Sequence, residues 1–248
     1  MRSEVLEFHG TVAGLYRWPV KSLAGERIEA ARLDERGLAG DRSHVLIDRR
    51  PKHDGHVLTV RQNAALLGWG SFYGPDVADP DGPPALRTPD GGERSWSDPT
   101  TAGALACSLG FPLELRDAVG SQDRGPTVHV TMEASRAELA QELSAPVELE
   151  RFRPNVHLSL DAPAFAEEQW SAGTTITIGE VALEVVGDDS GPCIRCAVPS
   201  WDPAGRERWP ELQRWLINKH DNKFGVIMRV TRAGAVGIGD TATARPIE

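Results

Sequence analysis

Apolar and polar residues alternate in short runs along the first fifty residues, a pattern typical of β-strands. The runs at residues 11–18, 27–33 and 43–48 carry apolar and aromatic side chains, and Pro or Asp follows each run closely. Short strands separated by turn residues at such intervals suit a barrel or a sandwich. The Gly-, Pro- and Asp-rich stretch at 69–92 predicts irregular loops with room for a short hairpin.

Helical spacing replaces this alternation at three places. We predict helices over residues 98–109, 134–143 and 209–220, and the last of these is amphipathic. Ser135 stands at the start of the second helix as its expected N-cap, where a hydroxyl can accept a hydrogen bond from a free backbone N–H.

A period of two returns in the second half of the chain. Strands are predicted at residues 155–160, 174–178, 226–230 and 237–242. This arrangement predicts a β-rich α+β fold with a barrel in the C-terminal half. We place a domain boundary near residue 115, which divides the chain into residues 1–115 and 116–248.

Composition narrows the class of protein. The 248 residues fit one large domain or two modest ones, with hydrophobic and charged contents of 40% and 25% that are ordinary for a globular protein. A net charge of −9 argues against a nucleic-acid partner but leaves room for a local basic pocket. No run approaches the ~18 apolar residues of a membrane span. Three cysteines and a charged start without a signal core predict a reducing, cytoplasmic setting.

The segment GPCIRCAVPSWDP is the most informative stretch of the chain. It holds two of the three cysteines, Cys193 and Cys196, with Arg195 between them. A thiolate is a soft ligand suited to soft or redox-active metals, and a neighbouring arginine lowers a thiol pKa. The flanking Gly and Pro residues place the pair on a loop, where a reactive group can be exposed on a rigid scaffold.

Three other interpretations of the cysteine pair stay open from the residues alone. Structural zinc needs four ligands, and the third cysteine, Cys107, has no Cys or His near it in sequence. A thioredoxin-type disulfide needs a βαβ context that the pattern lacks. The two thiols could also be small buried side chains in a turn, because free cysteine packs as a hydrophobe.

Four polar segments outside this loop each place Lys or Arg beside small polar groups at a predicted strand end. Such groups can hold a phosphate or a polar heterocycle, although a single strand-end arginine is usually a solvated charge. The four segments are Pro19–Ser22, Gly37–Arg42, Leu58–Gln62 and Arg151–Asn155.

Taken together, these segments resemble a known family. The stretches YRWPVKSLAGE, RGLAGDRSHVLID, LTVRQNAALL, RFRPNVHLSL, GPCIRCAVPSWDP and FGVIMRV…GAVGIGD span nearly the whole chain. In this order they are similar to proteins with a MOSC domain, named for the C-terminal domain of molybdenum-cofactor sulfurase, preceded by its accompanying β-barrel domain. The likeness is strongest to stand-alone members such as the amidoxime-reducing component. The resemblance implies an N-terminal barrel-like domain over 1–115 and a MOSC barrel over 116–248.

The resemblance also implies a cofactor and the residues that bind it. In such proteins the second cysteine of the CxRC loop coordinates molybdenum, which points to Cys196, with Arg195 beside it orienting the cofactor. The metal carries the dithiolene of a pterin (molybdopterin), whose phosphate must be neutralised. By resemblance the pterin site is lined by Lys21, Ser22, Arg42, Arg61, Arg153 and Asn155, with Ser135 as a weaker candidate.

The resemblance implies a molybdenum oxidoreductase that reduces N-hydroxylated or N-oxygenated small molecules. Without the four-cysteine iron–sulfur pattern of some relatives, its electrons are expected from a separate donor protein of ferredoxin, flavoprotein or cytochrome type. Asp188 and Asp189 are candidate proton donors. Relatives commonly have a threonine-rich turn where this chain has Ala197–Trp201, so substrate preference is not carried over.

Two other functions are compatible with the same residues. The family takes its name from a cofactor sulfurase whose partner domain uses pyridoxal phosphate, so Cys196 could carry a persulfide. Since this chain lacks room for a pyridoxal-phosphate domain, such a carrier would act downstream of a desulfurase. A non-catalytic protein that stores or delivers the cofactor is the other alternative.

Overall fold

The computed structural model describes residues 6–118, 126–187 and 198–247, together with the backbone of 191–194. In the first half the strands are β1 (Phe8–Arg17), β2 (Glu26–Ile28), β3 (Ala30–Asp34), β4 (Gly37–Leu38), β5 (His44–Asp48), β6 (Gly70–Phe72), β7 (Ala85–Arg87), β8 (Glu93–Ser95) and β9 (Leu113–Asp117). In the second half they are β10 (Val128–Met132), β11 (Val156–Leu160), β12 (Thr175–Ile178), β13 (Val181–Glu184), β14 (Gly191–Ile194), β15 (Lys223–Arg232), β16 (Gly234–Gly237) and β17 (Thr241–Arg245). The α-helices are α1 (Thr101–Leu109), α2 (Glu133–Glu142) and α3 (Pro210–His220).

A closed barrel of seven strands forms the centre of the fold. Its strands follow the order β10-β11-β1-β17-β12-β13-β15, and β15 pairs with β10 to close the ring. All neighbours are antiparallel except β10 and β11. The strand-rich α+β class with a barrel is therefore confirmed. The barrel is not built from the C-terminal half alone, because β1 lies between β11 and β17.

Side-chain alternation explains how the barrel strands bury one face. In β12, Ile176 and Ile178 are fully buried while Thr175 and Thr177 are half-buried. At Gly10 of β1, an added Cβ would lie 1.8 Å from the carbonyl oxygen of Ser159 in β11. Only glycine permits this close approach of the two backbones.

Outside the barrel ring, β2 pairs with β1 and β14 with β15, and the other strands form three small sheets. They are β16-β3-β4, β5-β9 and β6-β7-β8. A second apolar core packs beneath α1 and includes Leu46, Leu66, Trp69 and Leu105. The domain boundary near residue 115 stays a prediction.

Several local predictions require correction. The predicted strand at 27–33 is divided between β2 and β3 at Glu29, and β6, β7 and β8 form a small sheet within and just beyond the stretch predicted to be mainly loop. The predicted strand at 237–242 is interrupted, because residues 238–240 form a turn between the end of β16 and the start of β17. There the Asp240 carboxylate accepts a hydrogen bond from the Gly237 N–H at 2.8 Å, which holds the turn.

The helices lie within a few residues of their predicted bounds, but the expected cap of α2 is wrong. The N-cap position is occupied by Met132, and Ser135 lies inside the helix. No helix in the described part of the chain is long and apolar enough to span a bilayer.

Candidate functional site

Three residues from the predicted set lie together in the interior. We call Asp41, Arg42, Arg153 and Asn155 the polar cluster. The Arg42 guanidinium pairs with the Asp41 carboxylate, donates to Asn155 Oδ1 at 3.4 Å, and donates to the Arg153 carbonyl oxygen at 3.2 Å. All four residues are buried, so these contacts lie out of water. The cluster joins the segment after β4 to the segment before β11.

Asn155 is the connecting residue of the polar cluster. Its Oδ1 also accepts the backbone N–H of His129 at 3.0 Å, and its Nδ2 donates to the Tyr16 carbonyl at 3.4 Å. The Asn155 side chain is fully buried. Without it, the His129 N–H and the Tyr16 carbonyl oxygen would lose this hydrogen-bond partner or have a weaker one. The amide therefore fixes the end of β1 against β10 and β11.

Trp18 supports this cluster and was missed as a site residue. Its backbone N–H donates to Asp41 Oδ1 at 2.8 Å, and its indole N–H donates to the Pro154 carbonyl at 2.7 Å. The Arg153 guanidinium lies 4.3 Å from the centre of the indole ring, in cation–π geometry. The signal in the sequence was a tryptophan directly before Pro19 at a strand end, which we interpreted as part of the strand.

The backbone at the predicted site is unusual. Ser22, Arg42 and Arg153 have φ angles of 74°, 47° and 55°, in the left-handed region that non-glycine residues seldom adopt. Each such residue costs on the order of 1–3 kcal/mol, and this strain persists only where surrounding contacts hold it. Three residues chosen for cofactor binding share this feature, which is concentrated at functional sites in proteins.

Two neighbouring cavities adjoin the cluster. The inner cavity, of about 210 Å³, is lined by Trp18, Gly25, Arg153, Val198 and Trp201 together with Ala24, Leu67, Glu150, Arg151, Asp202 and Pro203. The outer hollow, of about 460 Å³, is lined by Val60–Ala64, Val198, Trp201 and Arg208. Because Val198 and Trp201 line both, the two spaces meet at the turn that follows Cys196 in sequence.

Arg151 holds that turn in place. Its Nη1 donates to the Trp201 carbonyl at 2.8 Å and to the Pro199 carbonyl at 3.3 Å, and its Nε pairs with Glu148 at 2.6 Å. The first arginine of the RFRPN segment thus positions the chain beyond the cysteine loop, while the second belongs to the polar cluster.

Lys21, Ser22 and Arg61 lie outside the polar cluster. Lys21 and Ser22 lie on the loop after β1, where the Lys21 N–H donates to the His44 carbonyl at 2.9 Å and Ser22 is buried. Arg61 is exposed on the wall of the outer hollow. The cavities thus bring Arg61 and Arg153 to the same turn, although no described contact joins their side chains.

Ser135 lies elsewhere. Its hydroxyl is fully buried, donates to Glu167 Oε2 at 2.9 Å and accepts the Phe165 N–H at 2.9 Å. Burial raises the pKa of the Glu167 carboxyl to about 7. With its hydrogen bonds used in joining α2 to the segment at 165–167, Ser135 has no described contact with the polar cluster.

The cysteine loop itself is only partly described. Arg195 and Cys196 lie outside the described residues, as do Asp188 and Asp189. The backbone of Cys193 is in β14, which pairs with β15. Cys107 is exposed on α1. Among the described residues, no group of three or more His, Cys, Asp or Glu is placed to hold a metal ion.

Comparisons with known proteins identify the two parts of the chain. The MOSC domain family model matches residues 119–243, and the MOSC N-terminal beta barrel domain model matches residues 9–69. Mitochondrial amidoxime-reducing component 1 of Mus musculus is 26% identical, with 82% of this chain and 68% of that protein aligned. Mitochondrial amidoxime reducing component 2 of Bos taurus is 25% identical, over 96% of this chain and 84% of that protein.

One solved structure shares the fold. The crystal structure of the YUAD protein from Bacillus subtilis superposes with a TM-score of 0.51, covering 98% of this chain and 99% of that one. Its sequence is 15% identical, so the likeness concerns the fold alone.

Proposed function

Because the chain belongs to the MOSC domain family, we propose that it is a molybdenum-cofactor-dependent oxidoreductase that reduces N-hydroxylated or N-oxygenated small molecules. The family is associated with the molybdenum cofactor. Two similar proteins are named for the reduction of amidoximes, which are N-hydroxylated amidines. The reaction is a two-electron reduction in which the N–O bond breaks, two protons are taken up, and the oxygen leaves as water.

The observation that carries this proposal is the polar cluster with its left-handed arginines. The pterin of the cofactor presents a phosphate and polar ring edges, which need several fixed donors. Arg42 and Arg153 supply guanidinium forks, which match phosphate geometry, and Asn155 supplies an amide. One carboxylate, Asp41, faces these two cations, so the cluster carries a net positive charge in a chain of net charge −9. The donor set therefore fits the group.

Different residues would bind different parts of the cofactor. Arg42, Arg153 and Asn155 would bind its polar edges, and Lys21 and Ser22 would bind from the loop after β1. Cys196 would ligate the metal, as the resemblance implies, with Arg195 beside it. When bound, the cofactor supplies a metal that exchanges two electrons and takes oxygen from a substrate.

The sequence distance from Cys196 to the cavities is short. Only Ala197 stands between Cys196 and Val198, and Val198 lines both the inner cavity and the outer hollow. Two successive residues span at most about 7 Å, which supports Cys196 as the metal ligand proposed for this site. Trp18 and Trp201 cover the inner cavity with apolar surface, which would keep water from the metal side. Electrons would come from a separate donor protein.

Cofactor analysis of the intact chain tests this proposal. We expect about one molybdenum and one pterin per chain after expression in a molybdenum-replete host with intact cofactor synthesis. Arg153→Lys removes the fork but keeps the charge, so it should lower both contents. Arg214→Lys, on the exposed side of α3, is the matched control and should leave them unchanged.

A reductase assay with an artificial reductant and an aryl amidoxime completes the test. We expect amidine formation that depends on the cofactor content of each variant. Wild-type protein that lacks both molybdenum and pterin would contradict the proposal. Loaded protein that does not reduce any N-hydroxylated compound would instead favour cofactor storage or sulfur transfer.

A further inference from the structure

The outer hollow has a charge unlike that of the whole protein. Two of its lining residues are arginines, Arg61 and Arg208, and among the described residues no Asp or Glu lines it. The chain as a whole carries a net charge of −9. A concave surface lined by one sign of charge concentrates ligands of the opposite sign. The hollow is therefore suited to an anionic group.

The wall that carries Arg61 is held by hydrogen bonds within one turn. Gln62 Oε1 accepts the N–H of Thr59 at 2.6 Å and its hydroxyl at 2.7 Å, and Asn63 Oδ1 accepts the Ala65 N–H at 3.0 Å. The Arg61 side chain makes no hydrogen bond or ion pair with any described residue and is exposed on this rigid turn. Its guanidinium is available to a ligand.

The opposite wall offers an aromatic surface and the second cation. The backbones of Trp201 and Arg208 are bridged, and the Arg208 guanidinium lies 5.6 Å from the centre of the Trp201 indole. Arg208 Nε approaches Ser200 Oγ at 3.4 Å, and Arg151 fixes the Trp201 carbonyl. A ring that enters the hollow can therefore contact Trp201 while its charged end reaches an arginine.

This hollow adjoins the place where reduction is proposed. Val198 lines its inner end and lies two residues beyond Cys196. The proposed metal ligand is thus close in sequence to a residue that lines the hollow.

We propose that Arg61 and Arg208 bind a carboxylate on the far end of the substrate, and that Trp201 contacts its aromatic ring. The inference rests on the proposed function, since it names the substrate class of that same site: aromatic N-hydroxylated compounds that carry an anionic group. It also moves Arg61 from the pterin side, where the sequence predicted it, to the substrate side.

Two substrates that differ in one charge provide the first test. The comparison is 4-carboxybenzamidoxime against benzamidoxime, measured as kcat/KM with the cofactor-loaded chain. We expect the wild type to prefer the carboxylate, and Arg208→Gln to reduce that preference about tenfold, mainly through KM, since a charge-assisted hydrogen bond is lost. Arg206→Gln is the control, because Arg206 is exposed nearby and pairs with Asp202 but does not line the hollow.

Arg61→Gln separates the two roles of that residue. On the substrate side, this change should weaken the preference for the carboxylate and leave molybdenum and pterin contents unchanged. Loss of molybdenum and pterin in Arg61→Gln would return the residue to the cofactor and overturn this part of the inference. Equal kcat/KM ratios in wild type, Arg208→Gln and Arg208→Glu would overturn the rest.

A binding measurement without turnover keeps this inference distinct from the proposed function. Ligand-observed NMR of cofactor-free protein with 4-carboxybenzamidoxime should detect binding that weakens with added salt and disappears in Arg208→Glu. Charge-dependent binding without reductase activity in loaded protein would support the anion site and contradict the proposed function. Reduction of both substrates with no effect of Arg208 would leave the proposed function standing and reject the anion site.

Discussion

Two regions of different charge meet at the neighbouring residues Asp41 and Arg42. Asp41 lines the acidic cavity, a space of about 710 Å³ whose charged lining also includes Asp34, Asp79, Asp117 and Arg36. Arg42 contacts Arg153 and Asn155, beside the inner cavity. A net charge of −9 thus describes neither region. The Asp41–Arg42 ion pair joins an acidic lining to the polar cluster, whose net charge is positive, and the difference teaches that charge must be located before it is interpreted.

In the acidic cavity the lining carboxylates have partners within the protein. Asp34 pairs with Arg36 at 2.7 Å, and Asp117 accepts the Trp96 indole N–H at 3.0 Å and lies 3.5 Å from the His44 ring. In the outer hollow no carboxylate among the described lining residues faces the arginines. We therefore assign the ligand to the hollow rather than to the larger cavity.

The largest effect should come from Asp41→Ala. Removing one partner of a buried ion pair leaves an uncompensated charge, and the Trp18 N–H also loses its acceptor, so we expect destabilisation of about 3–5 kcal/mol. Urea unfolding measures it. Asp79→Ala changes an exposed aspartate of the same acidic cavity and should cost less than about 0.5 kcal/mol. If Asp41→Ala and Asp79→Ala lost the same stability, Asp41 would be an ordinary member of the acidic lining and the comparison would fail.

Asn155→Ala should follow in size. It removes the acceptor of the buried His129 N–H and a contact of Arg42, and each unsatisfied group costs about 1–3 kcal/mol. We expect a loss of about 3 kcal/mol in urea unfolding, together with lower cofactor content. Asn218→Ala, on the exposed face of α3, is the control. A stability equal to that of the control would show that the polar cluster does not join the two halves of the site.

Glu167→Gln sharpens the comparison because Glu167 is a buried carboxyl that, unlike Asp41, has no arginine among its described partners. Its folded pKa, about 7, lies above the ordinary value of 4.5. The wild type therefore loses stability as pH rises from about 4.5 to about 7, and changes little above that. Between pH 5 and pH 8 the stability of Glu167→Gln relative to wild type should rise by about 2 kcal/mol, measured by urea unfolding.

The exposed Glu142→Gln, in the same helix as Ser135, controls for the loss of a carboxylate. If the difference between Glu167→Gln and wild type is the same at both pH values, the carboxyl does not change its charge in this range.

Gly25→Ala probes the inner cavity. An added Cβ would lie 2.2 Å from the Arg17 carbonyl oxygen and 2.6 Å from the Trp18 ring, so Trp18 must shift. We expect about 1–3 kcal/mol of destabilisation from overpacking and a weaker hold on the cofactor. Gly103→Ala, in α1 with open space around it, should be neutral or stabilising by up to about 1 kcal/mol. If Gly25→Ala stabilised the protein by a similar amount, the inner cavity would have to accommodate a displaced Trp18 ring without cost.

Asp117→Asn should have the smallest effect on stability. Burial lowers the pKa of His44, and the charge of Asp117 partly raises it again. Removing that charge should lower the pKa of His44 further, while stability changes by less than about 0.5 kcal/mol because the carboxylate is 80% exposed. NMR titration of the His44 ring tests this, with Asp54→Asn as a distant exposed control. An unchanged His44 titration would show that the acidic cavity does not act on its histidine.

The positions of the helices and strands were predictable from the local spacing of apolar residues. Which strands pair with each other was not. Strands such as β5, β11 and β12 and all three α-helices follow from apolar spacing, which depends on nearby residues. The pairing of β1 with β17 depends on backbones more than two hundred residues apart, which no local pattern encodes. The barrel was therefore expected in the C-terminal half, without its first strand.

The candidate site shows the same division between local and distant information. Arg42, Arg153 and Asn155 were chosen by resemblance, and the Arg42 side chain contacts the Asn155 amide and the Arg153 carbonyl oxygen. Ser135 was chosen for a helix start, but its hydroxyl is used by Glu167. Arg208 was missed because it comes directly before an amphipathic helix, and its relation to Arg61 exists only after folding.

The place of β1 in the barrel has a consequence for how the chain folds. Phe8 pairs with Ala244 and Thr11 with Thr241, so the ring closes only when residues near both ends of the sequence are present. During synthesis the segment that leads into Trp18 must wait for almost the whole chain before its strand finds both neighbours. Contacts of such long sequence separation slow folding, because a large loop must close before they form. A circular permutant that links the two termini would bring β1 and β17 together at once, and it should refold faster than the natural order.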